Sequence, residues 1–167
     1  MLVRKARLQD ATNIYELVNS LSQDGTLLRR VFAEICENVR DFTVAESEAG
    51  VFLGCGALHL YGPHLSEVRS IVVKPEAKGQ GAGGRLLLAL LEEADRQGVV
   101  SVCLFTRIPD FFFHFGFRIA DRTTLPDKIY KDCQACPRLY ACDEVAMVRG
   151  PLRALLGRDK HLARAQQ

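Results

Sequence analysis

The sequence lacks a long hydrophobic run. Its longest apolar stretch extends only from Leu86 to Leu91, whereas a helix that crosses a membrane needs roughly 20 apolar residues. The N-terminal residues Met1 to Lys5 also lack the apolar stretch of a secretory signal peptide. We therefore expect a cytoplasmic protein with no membrane partner.

An excess of charge of one sign is absent as well. The 167 residues include 22 Lys and Arg against 20 Asp and Glu, which gives a net charge of +2. Proteins dedicated to nucleic-acid binding usually carry a strong basic excess, so we do not expect nucleic acid as a partner. The near balance leaves room for a local cationic pocket that binds a small anionic substrate.

The length and composition suit one domain with one core, because 48% of the residues are apolar and 25% are charged. Apolar residues at helical spacing follow Asp10, whereas segments 51–59 and 67–73 have the character of strands. Neither a repeat nor a linker interrupts this pattern. The mixed order of elements predicts one α+β domain with a central sheet over residues 1–150, followed by a basic tail over residues 151–167.

A glycine-rich loop follows the predicted strand 67–73 and opens a helix. Consecutive backbone N–H groups at such a helix N-terminus form an anion site, and glycines let the backbone approach the anion closely. The loop lacks the Lys-Ser/Thr pair of a P-loop. It has the glycine spacing of a dinucleotide fingerprint, but the next strand ends in Phe-Thr-Arg, without the acidic residue of that fingerprint. Both of these alternatives are therefore disfavoured.

The loop and its surroundings resemble the GNAT acetyltransferases. Val73-Lys74-Pro75 followed by Lys78 and the glycines resembles the family's pyrophosphate-binding signature, Arg/Gln-x-x-Gly-x-Gly/Ala after a Val-x-Pro strand exit. Position 78 is Lys here, which keeps the charge. Gly116-Phe117 resembles the Gly-Phe that ends the family's next short helix. The resemblance implies the GNAT fold, in which helices flank a central mixed β-sheet, and acetyl-CoA as co-substrate.

Recognition of acetyl-CoA by backbone groups is a further implication of the resemblance. Because backbone groups bind the co-substrate, the side chains at these positions can be small. The strand residues implied to pair with the pantetheine arm are Ile71, Val72 and Val73. The loop residues implied to hold the pyrophosphate are Lys78, Gly79, Gln80, Gly81, Ala82, Gly83 and Gly84.

A narrower resemblance is to the acetyltransferase domain of N-acetylglutamate synthases, in a short form without the kinase-like domain. It implies transfer of the acetyl group to the α-amine of glutamate, the first step towards arginine. Glutamine or another amino acid as acceptor, and a non-catalytic acyl-CoA or amino-acid sensor, are the alternatives. GNAT domains often pair, which makes a homodimer a candidate partner. The segments that carry this resemblance are 3–6, 27–30, 42–44, 55–58, 106–107 and 125–126.

Glutamate presents two carboxylates, so its site needs two cationic groups held apart, for which arginine is best suited. The resemblance assigns Arg30, with Arg29 beside it, to the α-carboxylate, assisted by backbone near Leu28 and Ser70. The candidates for the side-chain carboxylate are Arg107, Lys128, Lys131 and Arg138. The alternative is that these side chains are surface charges with solvated heads.

Acetyl transfer also needs a base, because only a neutral amine attacks a thioester. Glu67 lies at the entry of the predicted co-substrate strand, where GNAT enzymes often place a base, and such a base contributes roughly 10²–10⁴-fold to the rate. A strand-end glutamate that faces solvent is the alternative. The tyrosine that often protonates the leaving thiolate is replaced by Phe112, which leaves Thr106, an ordered water or the more remote Tyr130 as donor.

The sequence contains six cysteines, of which Cys133, Cys136 and Cys142 lie close together. Three thiolates bind zinc in a closed site only with a fourth ligand from elsewhere, so zinc is a candidate ion but not an expected one. Redox-active or simply packed thiols are the alternatives. The other three cysteines fall in apolar patterns, and we expect them in the core.

Overall fold

The structure, a computed structural model, describes residues 1–20, 29–129, 133, 134, 136 and 139–152. The chain divides into two compact units, residues 1–99 and 100–167. Three of the predicted acceptor-binding residues, Leu28, Lys131 and Arg138, lie outside the described residues, as do Tyr130 and the tail from residue 153 onward.

The first unit is built on an antiparallel sheet. Its strands are neighbours in the order β1-β2-β3-β4, which is also their order in the chain. Short hairpin connections explain this order for the last three strands. The elements are β1 (Leu2–Lys5), α1 (Ala11–Ser20), α2 (Phe32–Glu37), β2 (Phe42–Glu46), β3 (Phe52–Gly62), β4 (Leu65–Val73) and α3 (Ala82–Arg96).

Helices cover both faces of this sheet. On one face, buried residues of α1 and α2, such as Ile14 and Ile35, pack with Val44 of β2 and Cys55 of β3. On the other face, a Cβ atom at Gly56 would lie 3.0 Å from Leu90 Cδ1 of α3. Glycine at position 56 therefore allows α3 to approach the sheet closely.

Strand β4 contains a bulge near its middle. Ala57 of β3 faces Arg69, but Cys55 faces Val72, so β4 has one more residue than β3 between these pairs. Ser70, within the extra stretch, has a φ of 52°, which is uncommon for a residue other than glycine. A bulge of this kind takes backbone groups out of the regular ladder.

The bulge decides which side chains of β4 share a face. Before it, Glu67 and Arg69 alternate onto the face of the sheet that packs against α1 and α2. His59 and Tyr61 of β3 lie on the same face, because His59 pairs directly with Glu67. Four polar side chains are therefore placed together at one end of the hairpin.

The second unit contains a smaller antiparallel sheet with strand order β5-β7-β6. Ala146, Met147 and Val148 of the central strand are buried. Its elements are β5 (Val102–Thr106), α4 (Pro109–Phe113), β6 (Arg118–Ile119), α5 (Pro126–Lys128) and β7 (Val145–Arg149). Among the described residues, no helix has both the length and the apolar character that spanning a membrane requires.

Candidate functional site

The glycine-rich loop leads from β4 into α3. Gly79 and Gly81 have φ angles of 77° and 80°, in the left-handed region that glycine adopts without the Cβ clash of other residues. A Cβ atom on either glycine would meet no atom of the described part of the chain within 4 Å. The backbone conformation therefore requires glycine here, and the side of the loop next to these residues is open.

Backbone N–H groups are concentrated where the loop becomes α3. Arg85 N donates a 3.0 Å hydrogen bond to Gly81 O, which is the first bond of the helix. The amides of Ala82, Gly83 and Gly84 precede this bond and have no acceptor within the helix. A helix N-terminus of this kind attracts anions, which is compatible with the predicted pyrophosphate contacts.

The side chains of the loop add to this arrangement. Lys78 is exposed and carries its charge on the outside of the loop. Gln80 Nε2 donates a 2.9 Å hydrogen bond to Glu76 O, which ties the loop to the turn before it. The predicted pantetheine-binding strand, residues 71–73, lies at the end of β4, directly after the bulge at Ser70.

Glu67 lies within β4 and is only 2% exposed. The Tyr61 hydroxyl donates a 2.8 Å hydrogen bond to its Oε2 atom. The alternative that Glu67 faces solvent is wrong, because β4 begins at Leu65 and the glutamate lies on the face covered by helices. A charged group in such surroundings requires hydrogen-bond partners.

His59 lies beside the Glu67–Tyr61 pair. Its ring packs edge-on against the Tyr61 ring, with 5.0 Å between centroids. Its Nδ1 atom is 3.3 Å from Asp41 Oδ2 and 3.2 Å from Arg69 Nη2. This nitrogen donates to the carboxylate only when it is protonated and accepts from the guanidinium only when it is not. The two contacts are therefore alternatives that depend on one proton.

Arg30 is held in place by α1 and α2. The Asn19 side chain accepts a 3.0 Å hydrogen bond from Arg30 N and donates one of the same length to Arg30 O. Arg30 Nη1 donates to Glu34 Oε1 at 2.6 Å. The Arg30 side chain is 15% exposed, whereas Arg29 is exposed. Because the ion pair with Glu34 uses Nη1, the planar guanidinium has further N–H groups for a substrate carboxylate.

Thr106 and Arg107 lie at the end of β5 in the second unit. Thr106 is 7% exposed, and its Oγ1 atom accepts a 3.0 Å hydrogen bond from Ile108 N. Arg107 Nε donates to Asp143 Oδ1 at 2.8 Å. The structure thus fixes both side chains of the predicted Thr-Arg pair.

Lys128, at the end of α5, is only 7% exposed. Its Nζ atom lies 5.7 Å from the centroid of the Phe105 ring, and Arg122 stacks on the same ring at the same distance. The alternative that Lys128 is a surface charge with a solvated head is therefore wrong.

Phe112 occupies the position where GNAT enzymes often have a tyrosine. It is 3% exposed and makes edge-to-face contacts with Phe111 and Phe117 at centroid distances of 4.9 and 5.9 Å. Aromatic side chains therefore pack around this ring. It has no hydroxyl group that could protonate a leaving thiolate.

The predicted zinc ligands do not form a three-ligand set. Within the part of the chain that the structure describes, no group of three or more His, Cys, Asp or Glu side chains is arranged to hold a metal ion. Burial raises the pKa of the Cys133 thiol, and Arg122 Nη2 donates to Cys142 Sγ at 3.5 Å. Cys55 and Cys103 are fully buried, as expected for core residues.

Two residues beside the predicted site were not predicted from the sequence. Tyr61 lies where the β3–β4 pairing shifts by one residue, between Leu60 and Gly62, so a regular strand register does not indicate its contact with Glu67. Asn19 contacts Arg30 across a gap of 11 positions in the chain. No local pattern indicates that contact, because it depends on how α1 meets the segment before α2.

Comparison with known proteins identifies the family. Residues 38–119 match the acetyltransferase (GNAT) domain. An N-acetyltransferase from Chlorobaculum tepidum is 38% identical over 148 residues, which cover 88% of this chain and 94% of the relative. The chain belongs to the GNAT acetyltransferase family. This GNAT protein is also 31% identical over 133 residues to an amino-acid acetyltransferase from Mycobacterium tuberculosis, covering 78% of this chain and 76% of the relative.

A solved structure confirms the predicted fold. N-acetylglutamate synthase from Neisseria gonorrhoeae, complexed with coenzyme A and N-acetyl-glutamate, superposes with a TM-score of 0.80 at 25% identity. The match covers 92% of this GNAT chain but only 35% of the synthase chain. The fold is α+β and is that of the GNAT acetyltransferases, as predicted. The coenzyme A in that complex agrees with the predicted acetyl-CoA co-substrate.

Proposed function

We propose that this protein transfers the acetyl group of acetyl-CoA to the α-amine of L-glutamate, the reaction that begins arginine biosynthesis. The observation that carries the proposal is the similarity, over 92% of the chain, to a synthase complexed with coenzyme A and N-acetyl-glutamate. The name of the Mycobacterium tuberculosis relative, amino-acid acetyltransferase, supports an amino acid as acceptor.

The loop between β4 and α3 supports the co-substrate. In the proposal, the amides of Gly79 to Gly84 hold the pyrophosphate, and Lys78 adds a positive charge nearby. Backbone groups of residues 71–73, at the end of β4 and directly after the bulge at Ser70, pair with the pantetheine arm as another strand would. The open side of the loop at Gly79 and Gly81 leaves space for this contact.

Glu67 is the proposed general base. It accepts a proton from the ammonium form of the acceptor, and the neutral amine then attacks the thioester carbonyl. The new C–N bond forms as the C–S bond breaks, the nitrogen gives its remaining extra proton to water, and the departing thiolate takes up a proton. Thr106 or an ordered water is the proposed donor of that proton, since the Phe112 ring has none. Holding the amine and the thioester together contributes to the rate without a special acid.

Two cationic groups bind the acceptor in this proposal. Arg30, fixed by Asn19 and Glu34, takes the α-carboxylate with backbone near Leu28 and Ser70. The buried Lys128 and the paired Arg107 are the candidates for the side-chain carboxylate. Further candidates outside the described residues are Lys131 and Arg138.

A second candidate function is a sensor that binds acetyl-CoA without consuming it. The observation in its favour is Phe112, which stands in place of the usual acid and is buried in an aromatic cluster. An acetyltransferase that prefers glutamine or another amino acid would keep the chemistry described for Glu67 and change only the acceptor. Homodimer formation and a cytoplasmic location remain predictions.

The proposal is tested by thiol release from acetyl-CoA with a panel of amino acids, for wild type and Glu67→Gln. We expect glutamate to be the preferred acceptor and Glu67→Gln to lower kcat by roughly 10²–10⁴-fold. The matched control is Glu37→Gln on the exposed side of α2, which should leave kcat unchanged. Preference for another amino acid would overturn the substrate, and binding of acetyl-CoA without any turnover would favour the sensor.

A further inference from the structure

We propose that Tyr61 is a positioning residue that holds the Glu67 carboxylate in the orientation needed to take a proton from the acceptor amine. This inference rests on the proposed function, in which Glu67 is the base. Tyr61 is not itself assigned a proton-transfer step. It acts through Glu67, and its own proton stays on the phenol throughout.

The first argument is the hydrogen bond between the two side chains. The Tyr61 hydroxyl donates to Glu67 Oε2 at 2.8 Å, and the carboxylate is 2% exposed. A hydrogen bond to a charged group is stronger than one between neutral groups. Because water has little access to this carboxylate, a donor that is part of the fold determines where the oxygen atom points.

The second argument is that the fold fixes the donor itself. Tyr61 lies two positions beyond His59, the residue that pairs directly with Glu67 in the β3–β4 hairpin. A diagonal neighbour at this spacing is within reach of a long side chain. The pairing shifts by one residue at this point, because Leu60 faces Ser66 whereas Gly62 faces Leu65, so Tyr61 is the extra residue of a bulge in β3.

The third argument concerns the tyrosine ring. The His59 ring meets it edge-on, at 5.0 Å between centroids and an interplanar angle of 83°. His59 is in turn held through Nδ1 by Asp41 or by Arg69, depending on whether that nitrogen carries the proton. The ring that carries the hydroxyl is therefore braced by a histidine with two charged neighbours, which limits its motion away from Glu67.

These contacts predict which kinetic constant changes. A residue that orients the base affects the step in which the proton moves, so its loss lowers kcat. The acceptor and acetyl-CoA are bound by other groups in the proposal, so their KM values should change little. The effect should also require Glu67, because the proposed action of Tyr61 is to orient that carboxylate.

The experiment is a double-mutant cycle with Tyr61→Phe and Glu67→Gln, measured with the preferred acceptor. We expect Tyr61→Phe to lower kcat about 10-fold in the wild-type background and less than about twofold in the Glu67→Gln background. Tyr15→Phe is the matched control, because it removes a hydroxyl from a ring that packs on Phe32. Equal losses in both backgrounds, or no loss in the wild type, would overturn the positioning role.

A second measurement does not depend on turnover. Carbon-13 labelling of glutamate side chains allows the Glu67 carboxyl signal to be assigned by its disappearance in Glu67→Gln. We expect Tyr61→Phe to shift this signal and Tyr15→Phe to leave it in place. If no amino acid is acetylated, the proposed function fails, whereas an unshifted signal in folded Tyr61→Phe shows that the tyrosine does not hold Glu67. Thermal unfolding of each variant establishes that it is folded.

Discussion

At the scale of single residues, Arg30 and Arg29 differ in how they are held. Asn19 binds the backbone of Arg30 at both its N–H and its C=O groups, and Glu34 holds one end of its guanidinium. Arg29 is exposed. A cation held in advance loses less conformational freedom when it binds a substrate carboxylate. We therefore predict that Arg30→Ala raises the KM for glutamate about 10-fold or more, with the KM for acetyl-CoA unchanged.

Steady-state kinetics with each substrate varied in turn measure this effect, and Arg29→Ala is the matched change. Its effect should be smaller, because its side chain has no comparable support. Arg30→Lys keeps the charge but not the planar, forked geometry, so it should restore only part of the affinity. Equal KM values in wild type and Arg30→Ala would remove Arg30 from the acceptor site.

Single residues also differ in how far the sequence indicates their place in the site. Glu67 was predicted because its position in a strand before the glycine loop resembles a known family. Tyr61 was not, because its hydrogen bond depends on the register of a hairpin and not on any local motif. The burial of Lys128 was missed for a similar reason, since it depends on how α5 folds onto Phe105.

At the scale of elements, two glycines at opposite ends of α3 allow the effect of backbone strain on stability to be separated from the effect of the loop on acetyl-CoA binding. Gly79 and Gly98 both have positive φ, of 77° and 69°, with no atom of the described chain within 4 Å of an added Cβ. Alanine at either position should therefore cost a similar amount, roughly 1–2 kcal/mol for a left-handed residue. Only Gly79 lies in the proposed pyrophosphate loop, while Gly98 follows the far end of α3.

We predict that Gly79→Ala raises the KM for acetyl-CoA several-fold, whereas Gly98→Ala leaves it unchanged. Thermal unfolding of both variants checks that the loss of stability is comparable, and kinetics with acetyl-CoA varied give the KM. If the two variants bind acetyl-CoA equally well, the loop amides do not hold the pyrophosphate. A lower KM for acetyl-CoA in both Gly79→Ala and Gly98→Ala would also contradict the proposed role of the loop.

Some strand bounds agree with those expected from the sequence, and others differ because they depend on pairing with a neighbouring strand. Segment 67–73 was predicted as a strand, and β4 ends at the same residue, Val73, although it begins two residues earlier at Leu65. Strand β3, predicted to end at His59, continues to Gly62, because its last residues are paired with the start of β4. The bulge at Ser70 was not predicted, since it is defined by which residues of β3 lie opposite it.

At the scale of the whole molecule, charges from separate segments hold the N-terminal strand in place. Arg4 of β1 donates two hydrogen bonds to Asp10, at 2.8 and 3.0 Å, and two to Glu46 of β2, of which that from Nε is 3.1 Å long. Asp10 is 6% exposed. The hydrogen bonds from Arg4, and then that from the Arg7 amide, hold the pKa of the Asp10 carboxyl below its usual range.

This lowered pKa predicts how stability depends on pH. The ionised Asp10 carboxylate stabilises the folded protein fully at pH values above the pKa of the unfolded state, which is about 4. This stabilisation is lost as the pH falls through the lower pKa of the folded state. Asp10→Asn removes the charge but keeps the size, so it should lower the free energy of unfolding by roughly 2–4 kcal/mol near neutral pH, below the upper range for fully buried pairs. The difference from wild type should shrink below about pH 4.

Urea unfolding of wild type and Asp10→Asn between neutral and acidic pH measures this difference. Asp121→Asn is the control, because Asp121 is exposed and asparagine caps a helical turn equally well, so its effect on stability should be small. A difference between wild type and Asp10→Asn that stays constant with pH would mean that the ionisation of Asp10 does not stabilise the fold and that the amide only disturbs its hydrogen bonds. The fold of the first unit would then depend on packing between β1 and β2, and Arg4 would contribute through its contact with Glu46.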